Sequence, residues 1–249
     1  MLVPVIRFLF FTCFLLGFGS IPCTIKKWTF GFKLAKMELH LPNHPQWDVP
    51  FDPTILSLLQ QKFCFLGRGA QCYVFESKDQ KYVIKLFRYD KNRKIEKIEA
   101  LFRACMLAYH DLKEETGLIY IHLNQTQDLL PTIQCIGPLG RTFSLPLDRY
   151  QFAIQRKAQN LFEVFLKAKD DPRLLQERFD QFMALLQARV DKKVVNYDTN
   201  LSRNFGFLED RAIEFDFGNF SYHAEMDPTL EMNRFTSKLQ SWLMQNGLQ

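Results

Sequence analysis

The sequence predicts an α+β chain in two parts, an antiparallel sheet with one long helix and then a smaller, mainly helical part. Short runs of β-branched and aromatic residues lie between positions 63 and 87 and between 118 and 155, as expected for strands. Between them, residues 93–115 carry apolar side chains every three or four positions, which predicts a helix ending at Gly117. Further amphipathic helices are predicted at residues 161–168, 173–188 and 230–244.

The length and composition are those of an ordinary globular protein. The chain has 249 residues, 47% apolar and 24% charged, which suffices for one good core or two small lobes. Its net charge of +5 is spread along the chain. The densest basic run, residues 88–97, alternates with acidic residues and lacks an aromatic ladder, so we interpret it as the solvated start of a helix. The sequence therefore predicts no nucleic-acid partner.

The cysteines favour reduced thiols over a zinc site or a disulfide framework. They lie at positions 13, 23, 64, 72, 105 and 135, without a C-x-x-C pair, and histidine is scarce. Structural zinc sites are built from such closely spaced ligands. Cys64 and Cys135 fall in apolar, strand-like runs, which predicts that both are buried thiols.

Residues 1–24 form an apolar segment with three open interpretations. Its uncharged core, residues 8–21, is shorter than the roughly 20 residues of a spanning helix and suits a signal peptide, whose cleavage would export the chain. If the segment stays as a membrane anchor, the lysines at 26, 27, 33 and 36 predict that the rest of the chain is cytoplasmic. In the third interpretation translation starts at Met37.

Residues 25–59 are predicted to form an extended arm and a short helix. Four prolines between positions 38 and 54 exclude a helix in the arm. Asp52-Pro53-Thr54 then has the composition of a helix start, and the apolar residues 55–59 follow it directly.

A glycine-rich hairpin and a lysine-bearing strand form the first candidate binding feature. Gly67 and Gly69 separate two β-rich runs, so the backbone N–H groups of this bend are open to an anion. Val74 lies in the second run. In the third run, residues 81–87, Lys85 interrupts an apolar strand and must reach solvent or find an anion.

The long predicted helix follows the lysine strand and brings several glutamates with it. Glu99 lies at the edge of its apolar face and is a candidate partner for Lys85, with Glu96 as a second candidate. A solvated pair of Glu99 with Arg103, four positions on, is a competing interpretation. The last strand-like run of this part, residues 152–158, contains Gln155.

Three polar residues later in the chain form the second candidate feature. Asp198 lies in an N-Y-D triplet, Asn204 begins an N-F-G triplet, and Asp216 begins a D-F-G triplet. With these parts in this order, the chain from about residue 60 to 220 resembles the protein-kinase superfamily. In particular it resembles uncharacterised bacterial kinase-like proteins that carry N-F-G followed by D-F-G.

The resemblance implies a protein-kinase-like fold of two lobes, an N-lobe at residues 60–158 and a reduced C-lobe at residues 159–249. It implies that the protein binds ATP and Mg²⁺ and transfers the terminal phosphoryl group to an unidentified hydroxyl acceptor. On the nucleotide side, Gly67, Gly69 and Val74 would cover the nucleotide. Lys85 would hold its α- and β-phosphates, and Glu99 would pair with Lys85.

The same resemblance assigns positions or roles to four further residues, one at the hinge and three at the catalytic centre. Gln155 would lie where the last N-lobe strand enters the hinge, whose backbone holds adenine. Asp198 would orient the acceptor hydroxyl, while Asn204 and Asp216 would hold Mg²⁺.

The sequence departs from the kinase pattern at several points. Cys72 stands where the third glycine is expected, and the triplet ending in Asp198 lacks the usual His and Arg. Asn204 follows Asp198 by six positions instead of five, and no A-P-E motif follows Gly218. These departures keep open two alternatives, a catalytically inactive pseudokinase acting as a nucleotide-binding or scaffold module, and an unrelated globular protein with chance motifs.

Overall fold

The computed structural model describes Thr29 and residues 31–39, 41–90 and 93–248. The apolar segment at residues 1–24 lies outside these ranges, so the anchor and signal-peptide interpretations stay predictions. Within the described ranges, no helix is both long enough and apolar enough to cross a membrane.

Seven strands form one sheet, and together with the helices they confirm a mixed α+β fold. The strands are β1 (Phe63–Arg68), β2 (Cys72–Ser77), β3 (Tyr82–Phe87), β4 (Leu118–His122), β5 (Thr132–Ile136), β6 (Thr142–Pro146) and β7 (Phe152–Arg156). Their order across the sheet is β4-β7-β3-β2-β1-β5-β6. Neighbouring strands are antiparallel except β1 and β5, which run parallel and so depart from the predicted antiparallel sheet. A parallel pair is possible here because β2, β3, a helix and β4 form a long crossover between its strands.

The alternation of β1 explains a wrong prediction about one cysteine. Successive side chains of a strand point to opposite faces, and in β1 Phe63 is buried while Cys64 is exposed. Cys64 is therefore not the buried thiol that its apolar neighbours suggested. Cys135 is buried as predicted, and both thiols are free.

The arm before β1 packs against the sheet and ends in helix α1 (Ile55–Leu59), as predicted. Met37, Ile55 and Leu59 are buried in the same apolar cluster as the inward side chains of the sheet. The arm is not fully extended, because Leu34–Lys36 and Pro45–Trp47 each form a 3₁₀ turn. The second turn contradicts the exclusion of helix between residues 38 and 54. A proline at the first helical position is compatible with such a turn.

The helix predicted at residues 93–115 is divided into α2 (Ile95–Asp111) and α3 (Lys113–Thr116). The break lies at Leu112, whose φ of −129° is not helical. α3 ends at Gly117 in the left-handed conformation (φ 64°), which glycine adopts without strain. α2 packs on the sheet through Ile98, Leu101, Phe102 and Cys105.

The smaller part of the chain combines helices with two short sheets. Its helices are α4 (Leu161–Lys167), α5 (Pro172–Asp191), α6 (Leu201–Asn204) and α7 (Pro228–Gln245). Its strands are β8 (Gln159–Asn160), β9 (Val194–Asn196), β10 (Phe205–Leu208), β11 (Arg211–Glu214) and β12 (Phe220–Tyr222), in the orders β11-β10-β8 and β12-β9. Asp171 and Asp227 cap α5 and α7 by accepting hydrogen bonds from Leu174 N and Leu230 N, both at 3.1 Å.

Close packing of β10 on β8 requires glycine at position 206. A Cβ placed on Gly206 would lie 2.3 Å from the backbone oxygen of Gln159, which cannot turn away as a side chain would. We therefore expect Gly206→Ala to separate the two strands and to lower the free energy of unfolding by about 1–3 kcal/mol, the usual cost of overpacking. Urea denaturation, monitored by circular dichroism, measures this loss.

Gly67→Ala is the matched control for this substitution. A Cβ on Gly67 would meet no described atom within 4 Å, so we expect a change within about 0.5 kcal/mol. Equal losses in the two variants would contradict the close approach of β8 and β10.

Candidate functional site

A cleft of about 750 Å³ brings together eight of the nine residues singled out in the sequence. These residues are Gly67, Gly69, Val74, Lys85, Gln155, Asp198, Asn204 and Asp216. They come from β1, β2, β3 and β7 of the large sheet and from the segments around α6 and between β11 and β12. Its volume lies within the range of small-molecule sites.

The bend between β1 and β2 covers one side of this cleft. Gly69 N donates to Cys72 O at 2.9 Å, which closes the bend. Neither Gly67 nor Gly69 has a positive φ, and a Cβ on Gly69 would make only ordinary contacts of 3.7–3.9 Å. The conformation of this bend therefore does not demand glycine at either position, whereas close approach of a ligand would. At the far end of the bend, Gln71 Nε2 donates to Gly218 O at 3.3 Å.

Lys85 lies in the middle of β3, opposite Val74 of β2 and Ala153 of β7. Its Nζ donates to the backbone oxygen of Phe215 at 2.5 Å. The ammonium also lies 5.2–5.6 Å from the ring centroids of Phe215 and Phe217, a distance typical of cation–π contacts. Lys85 is thus partly buried, and it pairs with no carboxylate of the described residues.

The structure brings neither Glu99 nor the second candidate, Glu96, into the cleft. The Glu99 side chain is about half exposed and lies 3.6 Å from Arg103, the solvated pair considered as a competing interpretation. A helix turns by 100° per residue, so a glutamate next to buried Ile98 is carried off the face that meets the sheet. Leu101 of the same helix lines the cleft in its stead.

Asn196, Asp198 and Asn204 hold the loop before α6 together. Asp198 N donates to Asn196 Oδ1 at 2.9 Å, and Asn204 Nδ2 donates to Asp198 O, also at 2.9 Å. Asp198 Oδ1 accepts from Asn200 N at 3.0 Å. Because α6 forms one helical turn within this loop, Asn204 returns to Asp198 despite the six-residue spacing.

Asn204 and Asp216 supply a donor set that fits a hard divalent cation. Phe215 N donates to Asn204 O at 2.7 Å, so the two residues are held side by side. Asn204 is fully buried, and its Oδ1 has no hydrogen-bond partner among the residues that the structure describes. An amide oxygen and a carboxylate are ligands that suit Mg²⁺, which commonly takes one or two protein ligands with phosphates and waters. No cluster of three or more His, Cys, Asp or Glu residues suited to a metal occurs in the described chain.

Cationic side chains outnumber carboxylates around the cleft. The cations are Arg68, Lys85, Arg88, Arg156, Lys157 and Arg203, against the carboxylates of Asp198 and Asp216. Three of these cations are paired with carboxylates outside the cleft: Arg88 with Asp90, Arg156 with Glu209, and Lys157 with Glu76. The remaining positive charge favours an anionic ligand.

A buried ion-pair network behind the cleft was missed in the sequence. Arg189 of α5 lies 3.3 Å from Glu214 Oε2 and 3.0 Å from Glu231 Oε1, and all three side chains are buried. Glu214 Oε1 accepts from Asn196 Nδ2 at 2.6 Å, and Glu231 Oε1 accepts from Asn196 N at 3.2 Å. The network therefore reaches the loop that carries Asp198. Its signal in the sequence was an arginine within the apolar stripe of α5, three positions after Leu186.

Glu214, which is buried, and Cys72, which is partly exposed to the cleft, have raised pKa values. Burial raises the pKa of Glu214 to about 7, although Arg189 and the hydrogen bond from Asn196 oppose the shift. Desolvation by the surrounding side chains likewise raises the pKa of the Cys72 thiol to about 11, against the opposing charge of Lys85. Cys72 is therefore a thiol at neutral pH and is not set up as a nucleophile.

Comparison with known proteins assigns no family to this chain: neither the protein-family models nor the curated proteins include a match.

Proposed function

We propose that this chain is an atypical kinase-like protein that binds Mg-ATP and transfers its terminal phosphoryl group to a hydroxyl acceptor. The observation that carries the proposal is the convergence of Lys85, Asp198, Asn204 and Asp216 on one cleft beneath a glycine bend. These residues are far apart in the sequence. A lysine, a proton acceptor and two oxygen ligands are what phosphoryl transfer requires of a protein.

In this proposal each residue has a role set by its chemistry. Lys85 binds the α- and β-phosphates, and the backbone N–H groups near Gly67 and Gly69 approach them from above. Asn204 and Asp216 hold Mg²⁺, which when bound neutralises phosphate charge. Asp198 takes the proton of the acceptor hydroxyl as the new oxygen–phosphorus bond forms. The bond from the γ-phosphorus to the bridging oxygen then breaks and ADP leaves.

Lys85 and Glu99 favour a second candidate function, a pseudokinase that binds nucleotide without transferring phosphate. Active kinases hold the lysine in an ion pair with a glutamate of the following helix. Here Lys85 is bound to the Phe215 carbonyl, and Glu99 pairs with Arg103. Nucleotide binding is common to both candidates, so it is tested first.

Mg-ATP is expected to stabilise the protein against heat. At one hundred times its dissociation constant, a ligand adds about 2.7 kcal/mol, which for a chain of this size corresponds to a rise in Tm of roughly 5–10 °C. Lys85→Ala and Asp216→Ala should each abolish this rise, and EDTA should reduce it in the wild type. Differential scanning fluorimetry with and without Mg-ATP measures the effect.

Lys81→Ala and Asp210→Ala serve as controls because they change exposed residues of the same types outside the cleft. Both controls should keep the full rise in Tm. If Lys85→Ala and Asp216→Ala also keep it, the cleft is not the nucleotide site.

A further inference from the structure

The side-chain amide of Gln155 is held in one orientation. Its Nε2 donates to Thr116 O at 2.5 Å and to Phe215 O at 3.2 Å. Both partners are backbone carbonyl oxygens, which can accept but not donate, so the NH₂ end must face them. Oε1 is therefore left at the opposite end of the amide.

Gln155 Oε1 is a buried acceptor without a donor. The residue has no exposed surface, and no donor in the described part of the chain reaches this oxygen. Buried polar atoms in folded proteins are nearly always paired, and one left unpaired at a cleft points to a group supplied by a ligand.

The register of the sheet locates Gln155 relative to Lys85. Lys85 lies opposite Ala153, and Val83 lies opposite Gln155, so the four residues occupy one face of β3 and β7. Two residues along a strand cover about 7 Å, which separates Gln155 from Lys85 along the cleft. Val83, opposite Gln155, and Ala158, three positions after it, are apolar residues that line the cleft at this end of the sheet.

A nucleotide whose phosphates contact Lys85 would accordingly place its flat base among these apolar residues. We propose that Gln155 selects the base, with Oε1 accepting a hydrogen bond from an exocyclic amino group at C6 of a purine. The inference rests on the proposed Mg-ATP binding and adds the residue that selects its base. Guanine and hypoxanthine carry a carbonyl oxygen at C6. This oxygen would face Gln155 Oε1, so two hydrogen-bond acceptors would meet in a buried site and weaken binding.

Three purine nucleotides separate the contributions to this selection. ATP offers the amino group, purine riboside triphosphate offers only hydrogen at C6, and ITP offers a carbonyl. We expect purine riboside triphosphate to bind the wild-type protein roughly 2- to 10-fold more weakly than ATP, the usual worth of one hydrogen bond. ITP is expected to bind roughly 5- to 100-fold more weakly, because an unpaired buried acceptor costs more than a missing bond. Isothermal titration calorimetry with Mg²⁺ provides the three dissociation constants.

Gln155→Met removes the acceptor while keeping a long unbranched side chain. The ratio of the ITP and ATP dissociation constants should fall to about 1 in this variant. Loss of the contacts to Thr116 and Phe215 affects both nucleotides alike and cancels in the ratio. Gln71→Met is the matched control, since Gln71 also lines the cleft but contacts Gly218 at the opposite end of the glycine bend, and it should keep the wild-type ratio.

The outcomes distinguish this inference from the function on which it rests. If no nucleotide binds, the proposed function fails. If ATP binds but ITP and purine riboside triphosphate bind equally well to the wild type, the role of Gln155 is overturned and nucleotide binding stands. The same conclusion follows if Gln155→Met keeps the wild-type preference. Because the wild-type comparison needs no substitution, the test does not depend on the variant folding.

Discussion

Replacing Arg189 with alanine is expected to destabilise the folded protein by about 3–5 kcal/mol, the usual cost of removing one partner from a buried ion pair. Arg189 is almost completely buried and lies between two buried carboxylates, Glu214 and Glu231. Without the guanidinium, Glu214, whose pKa is already about 7, has to take up a proton or remain charged beside Glu231 with little water to solvate it. Chemical denaturation at neutral pH measures the loss.

Arg173→Ala is the control on the same helix, because Arg173 is exposed and its ion pair with Glu177 lies at the surface. We expect it to change the free energy of unfolding by less than about 0.5 kcal/mol. Arg189→Met combined with Glu214→Gln and Glu231→Gln removes all three charges together and should recover much of the stability. A small loss in Arg189→Ala, or a triple variant no more stable than the single one, would contradict a charge-coupled network.

Asp198→Asn is expected to lower turnover by a factor on the order of 10² or more while leaving Mg-ATP binding near that of the wild type. The substitution keeps Oδ1 as acceptor for Asn200 N, so the loop retains its hydrogen bond and loses the basic carboxylate. Asp216→Asn should reduce both binding and turnover, because it weakens the proposed metal site. ATP turnover or autophosphorylation, measured beside direct binding, separates the two effects.

The same assay distinguishes the enzyme from the pseudokinase. A wild type that binds ATP and shows no transfer above the Asp198→Asn background, with any acceptor tried, supports the pseudokinase. If a substitution of Thr199 or Asn200 abolishes turnover and Asp198→Asn does not, Asp198 is not the proton acceptor and a neighbouring residue of the loop takes that role.

Local patterns predicted the elements of this fold because they report on single strands and helices. Runs of β-branched and aromatic residues marked β1 to β3, the three- and four-residue spacing marked α2 and α5, and Gly117 marked the end of the first helical region. No local pattern predicted the parallel pairing of β1 with β5, because the sequence of β5 does not depend on the direction of the neighbouring strand. Likewise, the apolar neighbours of Cys64 could not show which face of β1 points inward.

The sequence predicted most of the candidate residues that line the cleft, but it did not predict which side chains form hydrogen bonds and ion pairs with one another. Motif order identified the residues of the cleft, because each motif is local in the chain. The partner of Lys85 depends on how α2 is rotated against the sheet, and a single position moves a side chain by 100°. The pairing of Arg189 with Glu231 joins residues 42 positions apart (231 − 189), beyond the reach of any local pattern.

Glu231 also affects the order in which the protein is completed during synthesis. Its carboxylate belongs to α7, yet it binds Arg189 and the backbone of Asn196, which in turn holds Asp198. The strands and α2 are translated first and can bury their own side chains against one another. We therefore expect the loop that carries Asp198 to complete its hydrogen bonds only after α7 has left the ribosome and docked. A nascent chain interrupted before Pro228 would therefore contain a folded sheet and an unfinished cleft.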